Sequence, residues 1–453
     1  MKKTAIEEIV LFVSIVKWAV LSTITGLTVG CGVTIFLKAL NWSTEVVQAR
    51  DFYFIFLPLA LFVSSLLVKY LAPDAEGHGT EKVIEAIHKR WGKIDIMVVP
   101  VKLVTAIITL AFGGSAGKEG PCVQIGAGLS SGLADLLKLN RGDRRKIVIC
   151  GISAGFSSVF GTPIAGALFA VEVLILGKIM HEMLFPVLVA AIISFQVTKY
   201  FGITYFYKDL HISGGFTEAF FLKVILSGLF FGIVAFLLVE TLKTAEGLAK
   251  RIRIWAPLKG LLGGTMLILL TLMTSTAYLG LGLDTIEGAI LGEKIFPGAF
   301  LLKILFTSIT LSMGGSGGLL TPILFIGATA GSAFAGVFNL NPEVFAAIGM
   351  VALFSGANNT PITASVMAIE IFGPQIGVYA ATACVVSYIA AGHRSIYSSQ
   401  LLGVTKSSSI RLPLMEDFSD LGEMKIRTKP GKLIYWIKKA VRYMGKIINT
   451  KAQ

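Results

Sequence analysis

Residues 113–128 read GGSAGKEGPCVQIGAG and residues 314–329 read GGSGGLLTPILFIGAT, so one glycine-rich pattern occurs twice, 201 positions apart. A second pair follows: FGTPIAGALFAVEV at residues 160–173 matches NNTPITASVMAIEI at residues 358–371, which lies 198 positions later. Two independent matches at nearly one offset indicate an internal repeat. Two homologous halves therefore follow one another along the chain.

Each repeated segment is a glycine-rich run that ends near a proline and opens an apolar helix, which a second short helix follows. Such interrupted segments are too short for simple membrane spans. They are typical of broken helices in transporters with inverted-topology repeats, where the helix ends meet at an ion site near the membrane midplane. The repeat predicts that architecture here.

The composition places this repeat in a membrane. Of the 453 residues, 54% are hydrophobic and 15% are charged, and the mean hydropathy is +0.78, which excludes a water-soluble domain. Apolar blocks at residues 9–37, 52–68 and 220–239 are near the roughly 20 residues that cross a hydrocarbon core. The first block shows no cleavage site, so we predict no removable signal peptide. The sequence predicts an all-α polytopic membrane protein.

The repeat and the charge distribution divide the chain into three parts. Residues 1–210 are the predicted first membrane repeat with an N-terminal cytoplasmic segment, and residues 211–403 are the second repeat with a final pore helix. Residues 404–453 are a short tail with 11 Lys and Arg against 4 Asp and Glu, within a net charge of +13.

The basic tail predicts the orientation. By the positive-inside rule both termini lie in the cytoplasm of a cell-membrane protein. Charge concentrated in one tail argues against a nucleic-acid partner. Residues 432–448 place apolar and basic side chains at helical spacing, which fits an amphipathic helix on the anionic inner leaflet. A frayed basic tail is the alternative.

The repeated helix N-termini indicate the charge of the ion. A helix N-terminus presents unpaired N–H groups and about half a positive charge, so several together in a low dielectric favour an anion. The acidic residues in the repeated segments are Glu119, Glu172 and Glu370, too few for a cation pathway. The alternative is that the glycines serve only close helix packing.

Other classes of protein fit less well. The run GGSAGKEG is similar to a phosphate-binding loop, but Phe112 stands at the first required glycine and Glu119 at the magnesium-binding hydroxyl. His88, His181 and His211 stand singly, so we predict no enzyme, no metal and no cofactor. A cation-coupled solute symporter, which also uses inverted repeats, is a distant alternative.

The cysteines carry no site signature. Cys31, Cys122, Cys150 and Cys384 all lie in apolar stretches without CxxC spacing. We interpret them as small core residues, and neither a disulfide framework nor a metal site is predicted.

The segment GKEGP at residues 117–121 resembles the GREGP-like motif of the CLC family of chloride channels and proton-coupled chloride exchangers. The resemblance implies an anion site at Lys118, Glu119 and Gly120, with Glu119 as the gate. Physically, a carboxylate at a helix N-terminus competes with an anion for the same N–H groups, and protonation or anion binding displaces it. A structural helix cap is the alternative role.

Two further parts of the family's anion site have counterparts. The segment GLLTP at residues 318–322 is similar to the family's GIFAP-like motif, which implies that the backbone N–H groups of Leu319 and Leu320 bind the central anion. The family completes that site with a tyrosine on its last helix, and Tyr397 fits this position, although a tyrosine at a membrane interface is common.

A third motif departs from the family. The segment GHGTE at residues 77–81 stands where a GSGIP-like motif places a serine, so His78, next to Gly79, replaces the hydroxyl. An imidazole can donate an N–H to an anion and makes affinity depend on pH. Alternatively, the ring turns away and backbone amides alone bind. Selectivity is open here, but Pro121, which the family's fluoride exporters usually lack, favours chloride.

A fourth position bears on mechanism. Exchangers of the family carry a proton-delivering glutamate one residue after the position of Glu172, and Val173 stands there. Valine cannot carry a proton, so a passive channel is favoured over an exchanger, which is the alternative. Glu172 and its repeat partner Glu370 are interpreted as structural or helix-capping residues.

The resemblance covers about residues 10–402 and implies bound chloride ions, possible proton coupling and a homodimer in the lipid bilayer. Some family members append regulatory nucleotide-binding domains of well over a hundred residues. About fifty residues follow position 402, so we expect no such domains.

Overall fold

The computed structural model describes residues 2–210, 217–407, 409–418 and 425–426, together with Tyr435 and Lys439. Within this part the chain is almost entirely helical, as predicted. Its α-helices are α1 Lys2–Gln48, α2 Leu57–Leu71, α3 Thr80–Lys89, α4 Val98–Ala111, α5 Glu119–Leu136, α6 Arg141–Phe160, α7 Pro163–Glu172, α8 Leu184–Tyr200, α9 Glu218–Arg251, α10 Ala256–Met273, α11 Leu283–Ile290, α12 Ala299–Ser312, α13 Leu320–Val337, α14 Pro342–Asn358, α15 Pro361–Phe372 and α16 Gly377–Ala390.

Short 3₁₀ turns and two-residue strands complete the described structure. The turns are Tyr53–Phe56, Pro73–Ala75, His181–Met183, Thr276–Tyr278 and Pro374–Ile376. The strands are β1 Ile175–Leu176, β2 Leu401–Leu402, β3 Ile410–Arg411 and β4 Lys425–Ile426, of which β1 pairs with β2 in parallel and β3 with β4 antiparallel. The amphipathic helix predicted for residues 432–448 lies outside the described residues.

Six described helices are long and apolar enough to cross a membrane. The three apolar blocks found in the sequence lie in the spans Ile6–Gln48, Tyr53–Leu71 and Glu218–Arg251, which confirms a multi-pass membrane protein. Six further apolar helices are shorter, among them α4, α7, α12 and α15. These short helices fit the broken helices that the glycine-rich runs predict, since about 20 residues are needed for a full crossing.

The helices of the two halves occur in the same order. The long helices α1 and α9 each begin a series of eight, and α5 and α13, both of 18 residues, begin 201 positions apart. The third helix of each series, α3 and α11, is short. This order fits the predicted repeat, while the division at residues 210 and 403 stays a prediction.

Helices α5 and α13 begin inside the protein. Glu119 is 2% exposed and Leu320 is 0% exposed, so both N-termini are buried. The prolines of the two motifs, Pro121 and Pro322, occupy the third helical position, where a missing N–H breaks no helical hydrogen bond. The interior therefore contains the positive ends of two helix dipoles.

Helices α7 and α15 cap each other. Glu172, at the end of α7, accepts hydrogen bonds from the Ile362 N–H at 3.0 Å and the Thr363 N–H at 2.8 Å, and from the Thr363 hydroxyl at 2.6 Å. Glu370, in α15, accepts from the N–H groups of Ile164 and Ala165 at 3.0 and 2.8 Å. Each carboxylate meets the N-terminus of the other helix, so the pair is antiparallel and related by an approximate twofold axis. The geometry fits the helix-capping role proposed for both residues.

The cysteine interpretation needs one correction. All four thiols are free, and Cys122, Cys150 and Cys384 are buried as expected, but Cys31 is exposed on the surface of α1. Its segment is part of a membrane span, where lipid solvates an apolar side chain as well as the core does. An apolar neighbourhood in the sequence therefore did not imply burial in protein.

We predict that Glu172→Ala destabilises the fold, because it leaves buried helix N–H groups without an acceptor. Loss of hydrogen bonds to a charged acceptor costs about 2 kcal/mol or more. The melting temperature of the detergent-solubilised protein should fall clearly. Glu182→Ala, at an exposed glutamate close in sequence, is the control and should leave it unchanged; equal melting temperatures for both variants would contradict the capping role.

Candidate functional site

The two glycine-rich runs touch through their backbones. Gly117 N–H donates to the Gly318 carbonyl at 2.7 Å, and Gly318 N–H donates back to the Gly117 carbonyl at 2.6 Å. These two residues directly precede the N-terminal turns of α5 and α13. The isolated antiparallel bridge therefore brings the positive ends of the two helices together.

A third helix N-terminus joins them at Gly120. A Cβ atom at Gly120 would lie 2.2 Å from the His78 carbonyl oxygen and 2.8 Å from the Gly318 Cα atom, closer than real contacts allow. Likewise, a Cβ atom at Gly79 would lie 2.7 Å from the Gly120 carbonyl oxygen. Since Gly79 precedes α3, the N-termini of α3, α5 and α13 converge on one point. Only glycine permits this approach.

Glu119 occupies the N-terminus of the opposite helix. Its Oε2 accepts a hydrogen bond from the Thr321 N–H at 3.0 Å and another from the Thr321 hydroxyl. The carboxylate therefore takes the position that a bound anion would take at α13. The first-turn N–H groups of Leu319 and Leu320 also have no partner within their own helix.

A cavity of about 400 Å³ opens beside this carboxylate; we call it the Glu119 cavity. It is lined by Lys118, Glu119, Glu287 and Thr321, with aromatic residues around them. Lys118 lies at its wall and is partly exposed. The cavity therefore gives the predicted gate access to an aqueous space with a cation nearby.

Tyr397 lies near the start of α3. Its side chain is 1% exposed, lies next to Thr80 and is within electrostatic range of both Glu81 and Glu119. The structure thus places the predicted tyrosine beside Thr80, at the N-terminus of α3. Val83, Ile84 and Ile87 on α3 are buried.

The His78 ring contacts two carboxylates. Nδ1 lies 3.3 Å from Glu81 Oε2, and Nε2 lies 3.5 Å from Glu246 Oε1. Burial alone lowers the pKa of His78, but its contacts with Glu246 and Glu81 outweigh this and raise the pKa to about 9. In this arrangement both nitrogens face carboxylates, which is the turned-away alternative for the ring, and only the His78 backbone approaches Gly120.

A second cavity, of about 310 Å³, contains this ring, and we call it the His78 cavity. It shares no lining residue with the Glu119 cavity. This cavity lies on the side of the segment that follows Tyr397, which we call the tail side. The Ser398 hydroxyl donates a hydrogen bond to Glu81 at the start of α3. At the other end of α3, Lys89 pairs with Asp417. The two cavities thus approach the convergence of helix N-termini from different directions.

Val173 is fully buried, and its surroundings are closed. Its carbonyl accepts a hydrogen bond from Gln400 Nε2 at 2.7 Å, and strands β1 and β2 pair directly after it. The segment that follows Tyr397 therefore covers the position where exchangers of the family carry a proton-delivering glutamate.

Two buried lysines were missed by the sequence reasoning. Lys102 Nζ donates to the carbonyls of Ala75 and Gly77 at 3.1 and 2.6 Å, and Lys303 Nζ donates to those of Tyr278 and Gly280 at 3.1 and 2.9 Å. Both are fully buried and hold the turns that precede α3 and α11. Their separation of 201 positions equals the repeat offset and was the signal that could have revealed them.

Two other residues at the site were also missed. Thr321 lies within a motif already identified, and its pairing with Glu119 follows from the repeat contact. Glu246 lies far from His78 in the sequence and has no motif around it, so no sequence signal pointed to it.

Together, the fold and the site define a membrane protein of broken helices, in which buried helix N-termini converge in the interior. Residues 59–392 match the family model described as voltage gated chloride channel. The chain belongs to this family, the CLC family, and performs anion transport of its type, as the motifs predicted.

Two relatives and one similar solved structure carry the names of transport proteins. A chloride/fluoride channel protein of Pseudomonas syringae pv. tomato is 34% identical over 407 residues, covering 88% of this chain and 90% of the relative. The H(+)/Cl(-) exchange transporter ClcA of Salmonella typhimurium is 29% identical over 398 residues, covering 78% and 79%. The crystal structure of a CLC-type fluoride/proton antiporter is similar with a TM-score of 0.81 and 30% identity, covering 85% and 98%.

We predict that Gly120→Ala disrupts the convergence of the three helices. The added methyl group cannot fit against the His78 carbonyl, and overpacking of this kind costs about 1–3 kcal/mol. Anion flux into liposomes should fall at least about tenfold or the melting temperature should drop. Gly336→Ala, on α13 with open space at its Cβ position, is the control. Normal flux and stability in Gly120→Ala would contradict the close approach.

Proposed function

We propose that this protein carries chloride across the cell membrane through a pathway gated by Glu119. The observation that carries the proposal is the Glu119 carboxylate bonded to the N–H and hydroxyl of Thr321 at the start of α13. A negative group already occupies the most favourable anion position in the interior. An anion can bind there only when the carboxylate leaves or is neutralised, which is the physical requirement of a gate.

The rest of the pathway is proposed from the same geometry. The chloride ion would bind between Glu119 and the α3 N-terminus, with N–H groups from Gly120, Leu319 and Leu320 and the hydroxyl of Tyr397 as donors. Lys118 would attract anions into the Glu119 cavity. Protein backbone and a few hydroxyls suffice for a small monovalent anion, so no cofactor or metal is needed.

We infer that transport is passive. The argument is the non-protonatable side chain of Val173, which is buried where exchangers of the family carry the proton-delivering glutamate. A proton-coupled exchanger is the second candidate, because relatives of this chain are named as exchangers and antiporters. Glu119 itself can bind a proton in either mechanism.

Chloride is the first candidate anion and fluoride the second. The retained Pro121 favours chloride. Fluoride appears in the names of the relative from Pseudomonas syringae and of the similar antiporter structure, so it must be measured as well. Fluoride holds water more strongly than chloride, and the Thr321 hydroxyl beside Glu119 is a donor suited to such an ion.

The orientation of the protein in the membrane and its oligomeric state are also part of the proposal. The basic tail and the two lysines near the N-terminus predict that the tail side faces the cytoplasm. The Glu119 cavity would then open to the outside. We propose that the protein is a homodimer in which each copy of the chain has its own anion pathway.

We predict that Glu119→Gln removes the pH dependence of anion flux while flux itself persists. Glutamine keeps the size of the side chain but carries no negative charge, so it competes weakly with the anion. Initial chloride efflux from liposomes at several pH values measures the effect. Glu287→Gln, which removes an exposed carboxylate from the same cavity, is the control and should keep the wild-type pH profile. An unchanged profile in Glu119→Gln would exclude the gate.

Anion and proton movements should be recorded together. Liposomes with a clamped potassium potential, loaded with chloride or fluoride, report efflux by electrode and coupled proton uptake by external pH. We expect chloride efflux without uphill proton movement. A fixed proton stoichiometry would establish an exchanger. Fluoride efflux without chloride efflux would show that fluoride, not chloride, is the transported anion. The absence of any anion flux would overturn the proposed function.

A further inference from the structure

The two carboxylates on the His78 ring are held differently. Glu81 is three residues away on the start of α3, is 22% exposed and also accepts a hydrogen bond from the Ser398 hydroxyl. Glu246 comes from α9, close to its C-terminal end, and is 42% exposed. Among the described residues, its ion pair with His78 is the only one it makes. Glu81 is therefore the fixed partner of the ring, and Glu246 is the displaceable one.

Glu81 stays beside the ring when Glu246 moves away. Burial alone raises the pKa of Glu81, but His78 and Ser398 outweigh this and lower the pKa to about 2. The carboxylate is thus ionised at neutral pH, and its Oε2 lies 3.3 Å from Nδ1. When Glu246 moves away, Nε2 is left at the wall of the cavity, and an anion that takes the place of the carboxylate stabilises the protonated ring in the same way.

Glu246 has an alternative position. Lys250 lies four residues further along α9, one helical turn away, and lines the same cavity. A glutamate followed by a lysine at this spacing forms a favourable pair on a helix surface. A change of side-chain rotamer can therefore move the Glu246 carboxylate from His78 toward Lys250, with no backbone movement.

An anion approaching from the tail side meets this arrangement first. With Glu246 on the ring, the nearest charges are two carboxylates and one imidazolium, which together repel an anion. With Glu246 turned away, the Nε2 atom of the ring is exposed just before the α3 N-terminus. The other charged side chains of the His78 cavity are Glu76, Lys82, Lys250 and Lys259.

We propose that Glu246 is a second gating carboxylate, which closes the tail-side cavity by occupying the place of an anion at the His78 ring. This proposal rests on the proposed anion transport. Its physical basis is the same as that of Glu119: a glutamate competes with the anion for a positive donor. Glu119 competes at the N–H groups of α13, and Glu246 competes at an imidazolium.

The test is the flux of Glu246→Gln with chloride supplied from the tail side. In excised patches or planar bilayers, each face receives its own solution. Without the competing charge, flux at low tail-side chloride should rise up to about fivefold, the factor expected for a partly exposed ion pair. Flux driven from the opposite face should change less. An unchanged or lower tail-side flux would overturn the proposal.

Two further variants make the test specific. Glu85→Gln removes a carboxylate from α3 that pairs with Lys82 and not with His78, so it controls for net charge and should behave like the wild type. In a His78→Gln background, Glu246→Gln should have no further effect, because its target is gone. If the Glu246→Gln increase persists in that background, the carboxylate does not act through the ring.

The pH of the tail-side solution gives an independent readout. Because the pKa of His78 is raised to about 9, the ring is charged below that pH and loses its proton as the pH rises through it. Tail-side flux should therefore fall above about pH 9 in the wild type and in Glu85→Gln, but not in His78→Gln. A wild-type profile in His78→Gln would overturn the proposal.

Failure of this proposal is distinguishable from failure of the proposed function. If the wild-type protein moves no anion, the proposed function is wrong. If it moves anions under the control of Glu119 but the Glu246→Gln variant has the same tail-side flux as the wild type, only the proposal of the second gate is wrong.

Discussion

The backbone contact between Gly117 and Gly318 is the constraint on which the site depends. It holds the N-termini of α5 and α13 together in the interior, where their dipoles place positive charge on both sides of one small space. Such an arrangement is unfavourable in a low dielectric unless negative charge lies within it. The fold therefore requires an anion or a carboxylate at this point, and Glu119 provides one from within the chain.

The same interaction, a carboxylate that accepts hydrogen bonds at the N-terminus of another helix, involves three glutamates and has two different outcomes. Glu172 and Glu370 are repeat partners and cap each other's helices, so each is held by several hydrogen bonds in a symmetric pair. Glu119 also caps the opposite helix, but its repeat partner is Leu320, which cannot return the contact. This asymmetry supports the proposal that the pair is structural and that the unreciprocated carboxylate of Glu119 is the one that leaves.

Symmetry also explains the buried lysines and the loop that carries His78. Lys102 and Lys303 hold corresponding turns in the two halves through main-chain carbonyls. A buried ammonium is costly unless its donors are satisfied, so each turn is tightly fixed to the helix behind it. The turn before α3 thereby delivers Gly79 to the convergence point and leaves the His78 side chain to face the second cavity.

Much of this could be predicted from the sequence, because the information was periodic or local. The repeat offset, the apolar blocks and the glycine-proline segments identified the membrane fold, the broken helices and the gate candidate Glu119. The partner of Glu119 and the surroundings of Val173 depended on contacts between segments roughly 200 residues apart, which no local pattern encodes. His78 shows most clearly what the sequence leaves undecided. Its imidazole can bind either an anion or a carboxylate, and only the folded structure shows which partner lies beside it.

The sequence by itself determined which elements form, because hydrophobicity, helix-starting prolines and permissive glycines act over a few neighbouring residues. Only the tertiary structure decided which charges meet. Glu246 reaches His78 because α9 packs across the tail-side cavity, and Glu119 reaches Thr321 because two glycines let their backbones touch. Electrostatic interactions depend on distance in space, and that distance is set only when the two halves have packed.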